Sequence, residues 1–361
     1  MNLDQLRQRL NQVDRELIEL ARERQDIVSQ IGAYKIAQGV PTRDYERERD
    51  VLKAARDRAG SIGLDPDLAE SIMNLLIRSS LTHQEESRVA SQTTGEGRRA
   101  LVIGGAGKMG AWFVRFLASQ GYAVQVADPD AGPDVPDAVS DWRSLTIDHD
   151  LIVVAAPITV TAGILEALAG IKPEGLILDI GSLKTPLREG LAQLAAAGCK
   201  VTSIHPMFGP DTRLLSGRHV IFCDVGNAEA MVEARALFGA TMAELFDMSL
   251  DEHDRLIAYV LGLAHALNIA FFTALAESGE LVPRLKHMSS TTFDAQLGVA
   301  SLVAHDNPHL YFEIQALNEY GNTSLEALRT AAEKIQSLIA DGDEAGFVRL
   351  MDSGRQYLAG E

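Results

Sequence analysis

Residues 100–110, ALVIGGAGKMG, read as a short apolar strand that runs into a glycine-rich turn and then into a helix. Gly105, Gly107 and Gly110 have the spacing G-x-G-x-x-G. The first glycine permits a tight turn, the second lets the backbone approach a pyrophosphate, and the third lets the helix pack closely on the strand. The N-terminus of the helix then presents unpaired N–H groups to phosphate oxygens. This stretch therefore predicts a dinucleotide-binding turn in a parallel α/β sheet.

An acidic residue follows the next predicted strand. Asp128 ends the run VQVAD, 23 residues after Gly105. A carboxylate at this position accepts hydrogen bonds from a ribose diol and repels the extra phosphate of NADP, so NAD is the predicted cofactor. Lys108 and Met109, inside the turn, are predicted to contact the cofactor as well. The alternative interpretation is a glycine-rich turn that binds no ligand.

Short apolar runs continue to alternate with helical or loop patterns after this turn. They include LIVVAAP, LILDIG, VTSIHP and HVIFCD. Alternation of this kind predicts a largely parallel, doubly wound, Rossmann-like α/β domain, which we assign to residues 99–247.

Two polar motifs follow predicted strands of this domain. DIGSLK contains Ser182 and Lys184, and SIHPMFGP contains His205. Ligands of open α/β sheets bind beyond the carboxyl ends of the strands. Since an imidazole with a pKa of about 6.5 suits proton transfer near neutral pH, His205 is predicted to be a general base. The alternative is a loop histidine that caps backbone groups. Ser182 and Lys184 are weaker candidates for the substrate side, and no run has the spacing of a metal site.

Helical patterns fill the chain on both sides of the α/β domain. Residues 1–90 read as an all-helical domain, residues 91–98 as a small, polar linker, and residues 248–361 as a second all-helical domain. Residues 256–276 carry no formal charge and are long enough to span a bilayer. Because this run includes polar residues and stands alone, it is predicted to be a buried core or interface helix.

The first helix carries an apolar seam that a cation interrupts. The seam residues step by four and three, as in a heptad repeat: Leu6, Leu10, Val13, Leu17, Leu20, Ile27, Ile31 and Tyr34. Arg24 occupies one seam position, and Lys35 follows the last seam residue. A buried cation is costly unless it is paired. Arg24 is therefore predicted to meet a carboxylate, either from the protein, with Glu48 and Asp44 as candidates, or from a ligand.

The chain is acidic overall. Its 361 residues include 33 Lys and Arg against 50 Asp and Glu, for a net charge of −17. Such a chain is a poor general ligand for nucleic acid and for anionic membranes. It begins with a charged helix rather than a signal peptide, so we expect a cytoplasmic protein. Cys199 and Cys223 have no metal or redox spacing and are expected to be buried free thiols, with a disulfide as the alternative.

Together these motifs resemble a known pair of enzymes. Residues 1–90 resemble the all-helical chorismate mutases of the bacterial dimeric type. Residues 99–361 resemble prephenate dehydrogenases through VIGGAGKMG (102–110), DIGSLK (179–184) and HPMFGP (205–210). The order matches the bifunctional chorismate mutase/prephenate dehydrogenases of tyrosine biosynthesis. The resemblance implies chorismate and prephenate as substrates and a homodimer as the assembly.

The resemblance also implies a set of mutase site residues, each of the type that the family uses: Arg7, Arg24, Lys35, Asp44, Arg47, Glu48, Ser80 and Gln84. In the family, Arg24 and an arginine of the partner chain, here Arg7, hold the substrate carboxylates, while Lys35 and Gln84 donate to the ether oxygen of the breaking bond. The two acidic residues lie near the ring hydroxyl, and the remaining two complete the pocket. A Claisen rearrangement needs a folded substrate and fixed donors for the developing charge, but no nucleophile.

For the dehydrogenase, the resemblance implies that His205 binds the ring hydroxyl of prephenate and takes its proton. Hydride passes from that carbon to NAD, and loss of carbon dioxide restores the aromatic ring of 4-hydroxyphenylpyruvate. The C-terminal helices are expected to form the dimerisation core and part of the substrate pocket.

Two positions depart from the family pattern. Many relatives have a serine where this chain has Ala155, and many have a carboxylate-binding arginine where it has Asp294. Another cation must then bind the substrate side chain, with Arg213, Arg284, Lys286 or a partner residue as candidates. Alternatively, the substrate is arogenate, whose ammonium can pair with Asp294, although the mutase product favours prephenate. A third interpretation is an inactive α/β module that binds NAD or tyrosine and regulates an active mutase.

Overall fold

The computed structural model describes residues 2–132, 135 and 137–360. The chain forms two compact units. The first unit comprises Met1–Ala156, Ala167–Ile180 and Gln193–Asp247, and the second comprises Pro157–Glu166, Gly181–Ala192 and Met248–Glu361. The N-terminal helices thus share a unit with the sheet that follows them.

Three helices open the first unit: α1 (Leu3–Gln38), α2 (Tyr45–Ile62) and α3 (Pro66–Ser91). Each helix begins after a side-chain cap, because the oxygens of Asn2, Asp44 and Asp65 accept first-turn N–H groups. The first two helices end at Gly39 and Gly63, whose φ angles of 64° and 75° favour glycine. Local capping chemistry therefore sets these boundaries.

Seven strands form one sheet in the order β2-β1-β3-β4-β5-β6-β7. Their bounds are β1 (Arg99–Ile103), β2 (Ala123–Ala127), β3 (Leu151–Val154), β4 (Leu176–Asp179), β5 (Val201–Pro206), β6 (His219–Asp224) and β7 (Glu244–Ser249). The neighbouring strands from β2 to β5 pair in parallel, and β6 pairs antiparallel to β5. Strands buried on both faces need continuous apolar runs, which explains their sequence pattern. The predicted Rossmann-like α/β fold is confirmed.

The core of the first unit is built around aromatic side chains. Helix α4 (Lys108–Ser119) supplies Trp112 and Phe116, whose rings stack at 4.8 Å, and α7 (Ala228–Phe238) supplies Phe238, 5.1 Å from Phe116. All three pack in one buried cluster with residues of the sheet. This packing holds α4, and with it the glycine-rich turn, against the strand ends.

The predicted linker at residues 91–98 is not a free connection. Ser91 is the last residue of α3, and Gly95 donates its N–H to the carbonyl oxygen of Gln120 at 3.0 Å. A Cβ at Gly95 would lie 2.1 Å from the Tyr122 ring. The small residues of this segment therefore serve close packing against the sheet region rather than flexibility, which corrects the sequence interpretation.

The second unit is mainly helical. Its principal elements are α5 (Ile158–Ile171, shared with the first unit), α6 (Arg188–Ala196, likewise), α8 (Leu250–Ile257), α9 (Ala264–Glu277), α10 (Val282–His287), α11 (Thr291–Ala304), α12 (Pro308–Ala316), α13 (Gly321–Ala340) and α14 (Glu344–Ala359). A π-helical stretch, Ala258–Leu263, joins α8 and α9 into one continuous helix. The predicted all-helical C-terminal part is confirmed.

One continuous helix, Leu250–Glu277, has the length and apolar composition to cross a membrane, by those two criteria alone. Only 22% of its most apolar 18-residue stretch is buried in the single chain. It is therefore not a core helix of the isolated chain, so the predicted core role of residues 256–276 is wrong. The alternative role, as an interface helix, stays a prediction.

Candidate active sites

Arg24 is half-buried on α1 and points toward α3. Its Nη1 donates to Ser80 Oγ at 2.6 Å and to the Leu76 carbonyl oxygen at 3.1 Å. Among residues 2–132, 135 and 137–360, no carboxylate lies within 4.0 Å of the guanidinium, and burial lowers the pKa of Arg24. The protein-carboxylate alternative for Arg24 is therefore wrong. The arrangement leaves a desolvated cation to pair with an anionic ligand.

The two protein carboxylates proposed for Arg24 have other partners. Glu48 accepts two hydrogen bonds from Arg43, through Nε and Nη2, both at 2.9 Å. Asp44 caps α2 by accepting the Arg47 N–H at 2.9 Å. Each carboxylate oxygen retains a lone pair, so both groups can still accept a substrate hydroxyl.

The predicted donors to the breaking bond lie on different helices. Lys35 Nζ, near the end of α1, donates to the Thr42 carbonyl oxygen at 2.8 Å. Gln84, on α3, packs on α1 at Gly32, where a Cβ would lie 3.1 Å from the Gln84 Cγ. The Gln84 Oε1 is buried, and no described residue hydrogen-bonds to it. A buried amide oxygen without a partner among the described residues indicates that a further hydrogen-bond donor completes this site.

Arg7 lies apart from the other mutase candidates. It precedes Arg24 by 17 positions on α1, which is roughly 25 Å along a helix axis. Its side chain is 67% exposed and lies 3.8 Å from Asp4. Within one chain Arg7 therefore cannot share a substrate with Arg24.

The glycine-rich turn has the geometry of a phosphate cradle. A Cβ at Gly110 would lie 2.0 Å from the carbonyl oxygen of Gly104, and one at Gly105 would lie 2.7 Å from the Val126 side chain. Gly107 is the N-cap of α4, and no described side chain caps that helix. The first-turn N–H groups, including those of Lys108 and Met109, can therefore face phosphate oxygens, while the Met109 side chain packs on the core.

Sequence reasoning missed Gly104, which precedes the three predicted glycines. Its φ angle is 86°, and a Cβ there would lie 2.7 Å from the backbone of Ala155. The doubled glycine at 104–105 was the available signal, because a positive φ next to a neighbouring strand excludes side chains.

Asp128 is buried directly after β2 and organises the turn. Its Oδ2 accepts the Ala106 N–H at 3.0 Å, and its Oδ1 accepts the Asp130 N–H at 2.9 Å. These bonds hold the carboxylate beside the glycine-rich turn, where a dinucleotide ribose would meet it. The cradle and this carboxylate together fit NAD.

His205 lies within strand β5 rather than in a loop. It is the fifth residue of the strand, pairs with Ile221 of β6 in register, and is 5% exposed. The loop alternative is therefore wrong. Its position at the carboxyl end of a parallel strand is the one that open α/β sheets use for ligands.

The Ser182–Lys184 motif belongs to the second unit, where Asp254 holds it. Lys184 is fully buried, and its N–H donates to both oxygens of the Asp254 carboxylate at 2.9 and 3.1 Å. Thr185 donates to Asp254 Oδ2 through its N–H and its hydroxyl, both at 2.5 Å, and His253 Nδ1 lies 2.6 Å from Oδ1.

Burial acts to raise the pKa of Asp254, but these hydrogen bonds outweigh it and lower the pKa. Asp254 therefore anchors the motif as a carboxylate. Sequence reasoning missed this residue because the motif residues that it holds, Lys184 and Thr185, lie about seventy positions away along the chain.

Two of the cations proposed to replace the missing arginine, Arg213 and Arg284, are paired. Arg213 donates to Glu86 at 2.8 Å, and Arg284 donates to Glu280 at 3.1 Å. Asp294 itself is exposed at the start of α11, where its carboxylate accepts the hydroxyl of Ser289 at 2.5 Å.

Glu85 is a further buried carboxylate that sequence reasoning missed. It is 2% exposed, on α3, and accepts the Leu215 N–H at 2.6 Å and also the Met242 N–H. Burial raises its pKa. The available signal was its spacing, because Leu81, Glu85 and Val89 step by four on one buried face of α3.

Both cysteines are buried, and neither forms a disulfide, as predicted for Cys199 and Cys223. Within the described part of the chain, no group of three or more His, Cys, Asp or Glu side chains is arranged to hold a metal ion.

Three family profiles match successive parts of the chain. They are chorismate mutase type II over residues 6–85, the nucleotide-binding domain of prephenate dehydrogenase over 126–245, and the dimerization domain of prephenate dehydrogenase over 249–353. Their order reproduces the order of helical and α/β parts along the chain.

Curated relatives match over most of the chain. The T-protein of Enterobacter agglomerans is 28% identical over 359 residues, which is 98% of this chain and 92% of the relative. The T-protein of Haemophilus influenzae is 27% identical, with the same coverage. The 4-amino-4-deoxyprephenate dehydrogenase of Streptomyces pristinaespiralis is 30% identical over 274 residues, covering 72% of this chain and 91% of the relative.

A solved structure shares the fold of the dehydrogenase part. Prephenate dehydrogenase from A. aeolicus, in complex with hydroxyphenyl propionate and NAD+, has a TM-score of 0.56 at 18% identity, covering 73% of this chain and 98% of the other. The profiles, the full-length relatives and this fold agree. The chain belongs to the family of bifunctional enzymes in which a type II chorismate mutase precedes a prephenate dehydrogenase.

Proposed function

We propose that the helical domain converts chorismate to prephenate and that the second part oxidatively decarboxylates prephenate to 4-hydroxyphenylpyruvate with NAD, in tyrosine biosynthesis. The family assignment supports both activities. The observation that carries the mutase half is the desolvated Arg24 guanidinium, which contacts Ser80 but no protein carboxylate. The roles of individual residues below are part of the proposal.

In the mutase site, fixed donors surround a substrate dianion. Ser80 accepts a hydrogen bond from Arg24 and donates to the Leu76 carbonyl oxygen at 2.7 Å, so it orients the cation toward one substrate carboxylate. Lys35 and Gln84 donate to the ether oxygen as negative charge develops there. Partial burial strengthens these interactions and removes the need for reorganisation during the reaction.

The remaining mutase residues bind the ring and the second carboxylate. Asp44 and Glu48 accept the ring hydroxyl, and Arg47 completes the pocket wall. Arg7 of the partner chain supplies a cation, because the distance along α1 excludes Arg7 of the same chain.

In the dehydrogenase site, His205 takes the proton of the ring hydroxyl. Gly105, Gly107 and Gly110 let the backbone of the turn approach the pyrophosphate, and Asp128 accepts the ribose diol. Bound NAD supplies the hydride acceptor. Ser182 and Lys184 contribute to the substrate side, with Asp254 holding their loop.

The exposed seam of α1 supports a homodimer, which is part of the proposal. Leu10, Leu17 and Leu20 are 59–60% exposed in the single chain, and Ile27 is 51% exposed. Apolar side chains repeated at heptad spacing pack on a partner helix. The apolar Leu250–Glu277 helix offers a second interface of the same kind. Sedimentation of the intact chain tests this, and a monomer at assay concentration contradicts it.

The cellular setting is also part of the proposal. We place the enzyme in the cytoplasm, with small-molecule substrates and a second copy of the chain as its partners. The acidic charge and the assignment to a family of biosynthetic enzymes support this proposal.

A second candidate for the dehydrogenase substrate is arogenate. Its support is Asp294, an exposed carboxylate where an arginine is expected, which can pair with the side-chain ammonium of arogenate. Prephenate remains preferred because the mutase domain of the same chain makes it.

One experiment separates these possibilities. Purified protein is mixed with chorismate and NAD, and NADH absorbance is followed. Rates are then compared on prephenate, arogenate and 4-amino-4-deoxyprephenate, each with NAD and NADP. NADH from chorismate with a preference for prephenate and NAD supports the proposal. Faster turnover of arogenate supports the second candidate, and mutase activity without NADH from any substrate supports a regulatory module.

A further inference from the structure

The segment that follows His205 contacts the mutase domain at three points, two on α3 and one on the loop between α1 and α2. We call residues 207–218, between β5 and β6, the β5–β6 segment. Its Arg213 donates to Glu86, the N–H of Leu215 donates to Glu85, and Ser216 Oγ lies 2.5 Å from Arg43 Nη1. All of these residues belong to the first unit. The segment therefore connects the predicted dehydrogenase base to the mutase domain.

Arg43 occupies the centre of this connection. One edge of its guanidinium, Nε and Nη2, forms the paired hydrogen bonds to Glu48, while Nη1 donates to Ser216. Its Cζ also lies 4.3 Å from the centre of the Tyr45 ring. A planar guanidinium held on both edges cannot rotate without breaking a hydrogen bond, so the position of Ser216 sets the direction in which Glu48 is presented.

Ser216 is in turn held by the mutase domain itself. Glu85 follows Gln84 on α3 and accepts the N–H of Leu215, the residue before Ser216. Hydrogen bonds therefore connect Glu85 of the mutase domain to the β5–β6 segment, and connect that segment through Arg43 back to Glu48. Because Glu85 is 2% exposed, this anchor is shielded from competing water.

We infer that Ser216, a residue of the nucleotide-binding domain, is a positioning residue of the mutase site that acts through Arg43 on Glu48. The inference rests on the proposed role of Glu48 in the mutase pocket. It adds that the mutase site is complete only when the β5–β6 segment is in place, so the two activities share a structural element.

The test measures mutase kinetics in the full-length enzyme. Ser216→Ala is expected to lower mutase kcat/KM about fivefold, mainly through KM, since one hydrogen bond to a partly exposed cation is lost. Ser216→Thr retains the hydroxyl and is expected to restore most of the activity. Ser119→Ala is the matched control, because among the described residues the Ser119 hydroxyl bonds to its own helix alone, at Phe116.

The same substitution in an Arg43→Ala enzyme distinguishes a positioning role of Ser216 from a general loss of stability. If Ser216 acts through Arg43, Ser216→Ala has no further effect on mutase kcat/KM once Arg43→Ala is present. Oxidation of added prephenate and the thermal midpoint are expected to stay near wild-type values. This pattern supports the inference.

Several outcomes overturn it. A Ser216→Ala enzyme with wild-type mutase kinetics does so, as does an equal loss in the wild-type and Arg43→Ala backgrounds. A parallel loss of both activities with a lower thermal midpoint indicates a merely structural residue and also refutes the inference. A wild-type enzyme without mutase activity refutes the proposed function itself, which distinguishes the two failures.

Discussion

Substitution of Gly110 tests the phosphate cradle most directly. In Gly110→Ala the added Cβ would lie 2.0 Å from the carbonyl oxygen of Gly104 and 2.8 Å from the Cα of Gly105. Contacts below 3.0 Å are essentially never seen for Cβ atoms, so the turn and the first turn of α4 must separate by about 1 Å. Both neighbours are backbone atoms, and no side-chain rotation relieves the clash.

The displacement affects both the stability of the fold and the binding of the cofactor. Overpacking of this kind costs roughly 1–3 kcal/mol of stability. A shift of 1 Å at the helix N-terminus also breaks at least one N–H bond to a charged phosphate, worth about 1.5–3 kcal/mol. We therefore expect the Kd for NAD to rise roughly 10-fold to 150-fold.

The assay is titration of NAD into the purified variant, with mutase activity on chorismate as the internal control. The mutase needs no cofactor, so its rate is expected to stay within about twofold of wild type. Gly163→Ala is the matched variant, because Gly163 lies inside α5 with open space around its Cβ position. It is expected to bind NAD normally and to gain about 0.5–1 kcal/mol of stability. A Gly110→Ala enzyme that binds NAD as tightly as Gly163→Ala would refute the cradle.

Three further predictions concern other parts of the two sites. Gln84→Ala is expected to lower mutase kcat by roughly 100-fold, because one fixed donor to a developing oxyanion is lost, and to leave prephenate oxidation unchanged. Timed assays of chorismate consumption check this, and an unaltered kcat contradicts the proposed role of Gln84. Asp128→Ala is expected to raise the Kd for NAD about 10-fold and to reduce the preference for NAD over NADP. If the ratio of the Kd values for NAD and NADP is the same in the variant and the wild type, the role of Asp128 is refuted. The pKa of Asp254 is lowered from its ordinary 3.8 in the folded chain, so the stability from its charged form is fully present above pH 3.8 and is lost as pH falls through the lower folded value. Asp254→Asn should thus lower the urea midpoint near pH 7, with a deficit that shrinks below pH 3.8, and a deficit independent of pH would contradict this account.

Local chemistry explains which predictions succeeded. The glycine-rich turn between β1 and α4 depends on residues within eleven positions of each other, so its spacing carries the prediction. Parallel strands buried on both faces require unbroken apolar runs, and those runs reveal the sheet. The seam of α1 is visible for the same reason, since a helical repeat places its members on one face.

The sequence-based predictions failed where a residue contacts a partner that is distant along the chain. The seam position of Arg24 correctly indicated a desolvated cation, but its contacts are Ser80 and the Leu76 carbonyl rather than a carboxylate. The small residues around Gly95 suggested a flexible linker, yet the Tyr122 ring needs that space. Composition reports size and polarity, and it does not report what packs against them.

The sequence by itself determined the order of helical and α/β parts, the glycine-rich turn and the residue types available to both proposed sites, because each depends on neighbours along the chain. Only the tertiary structure decided that Arg43 joins Glu48 to Ser216, 173 positions away, and that Glu85 holds Leu215, 130 positions away. Such contacts follow from how the helices dock on the sheet. Hydrogen-bond geometry over that separation leaves no periodic trace in the chain.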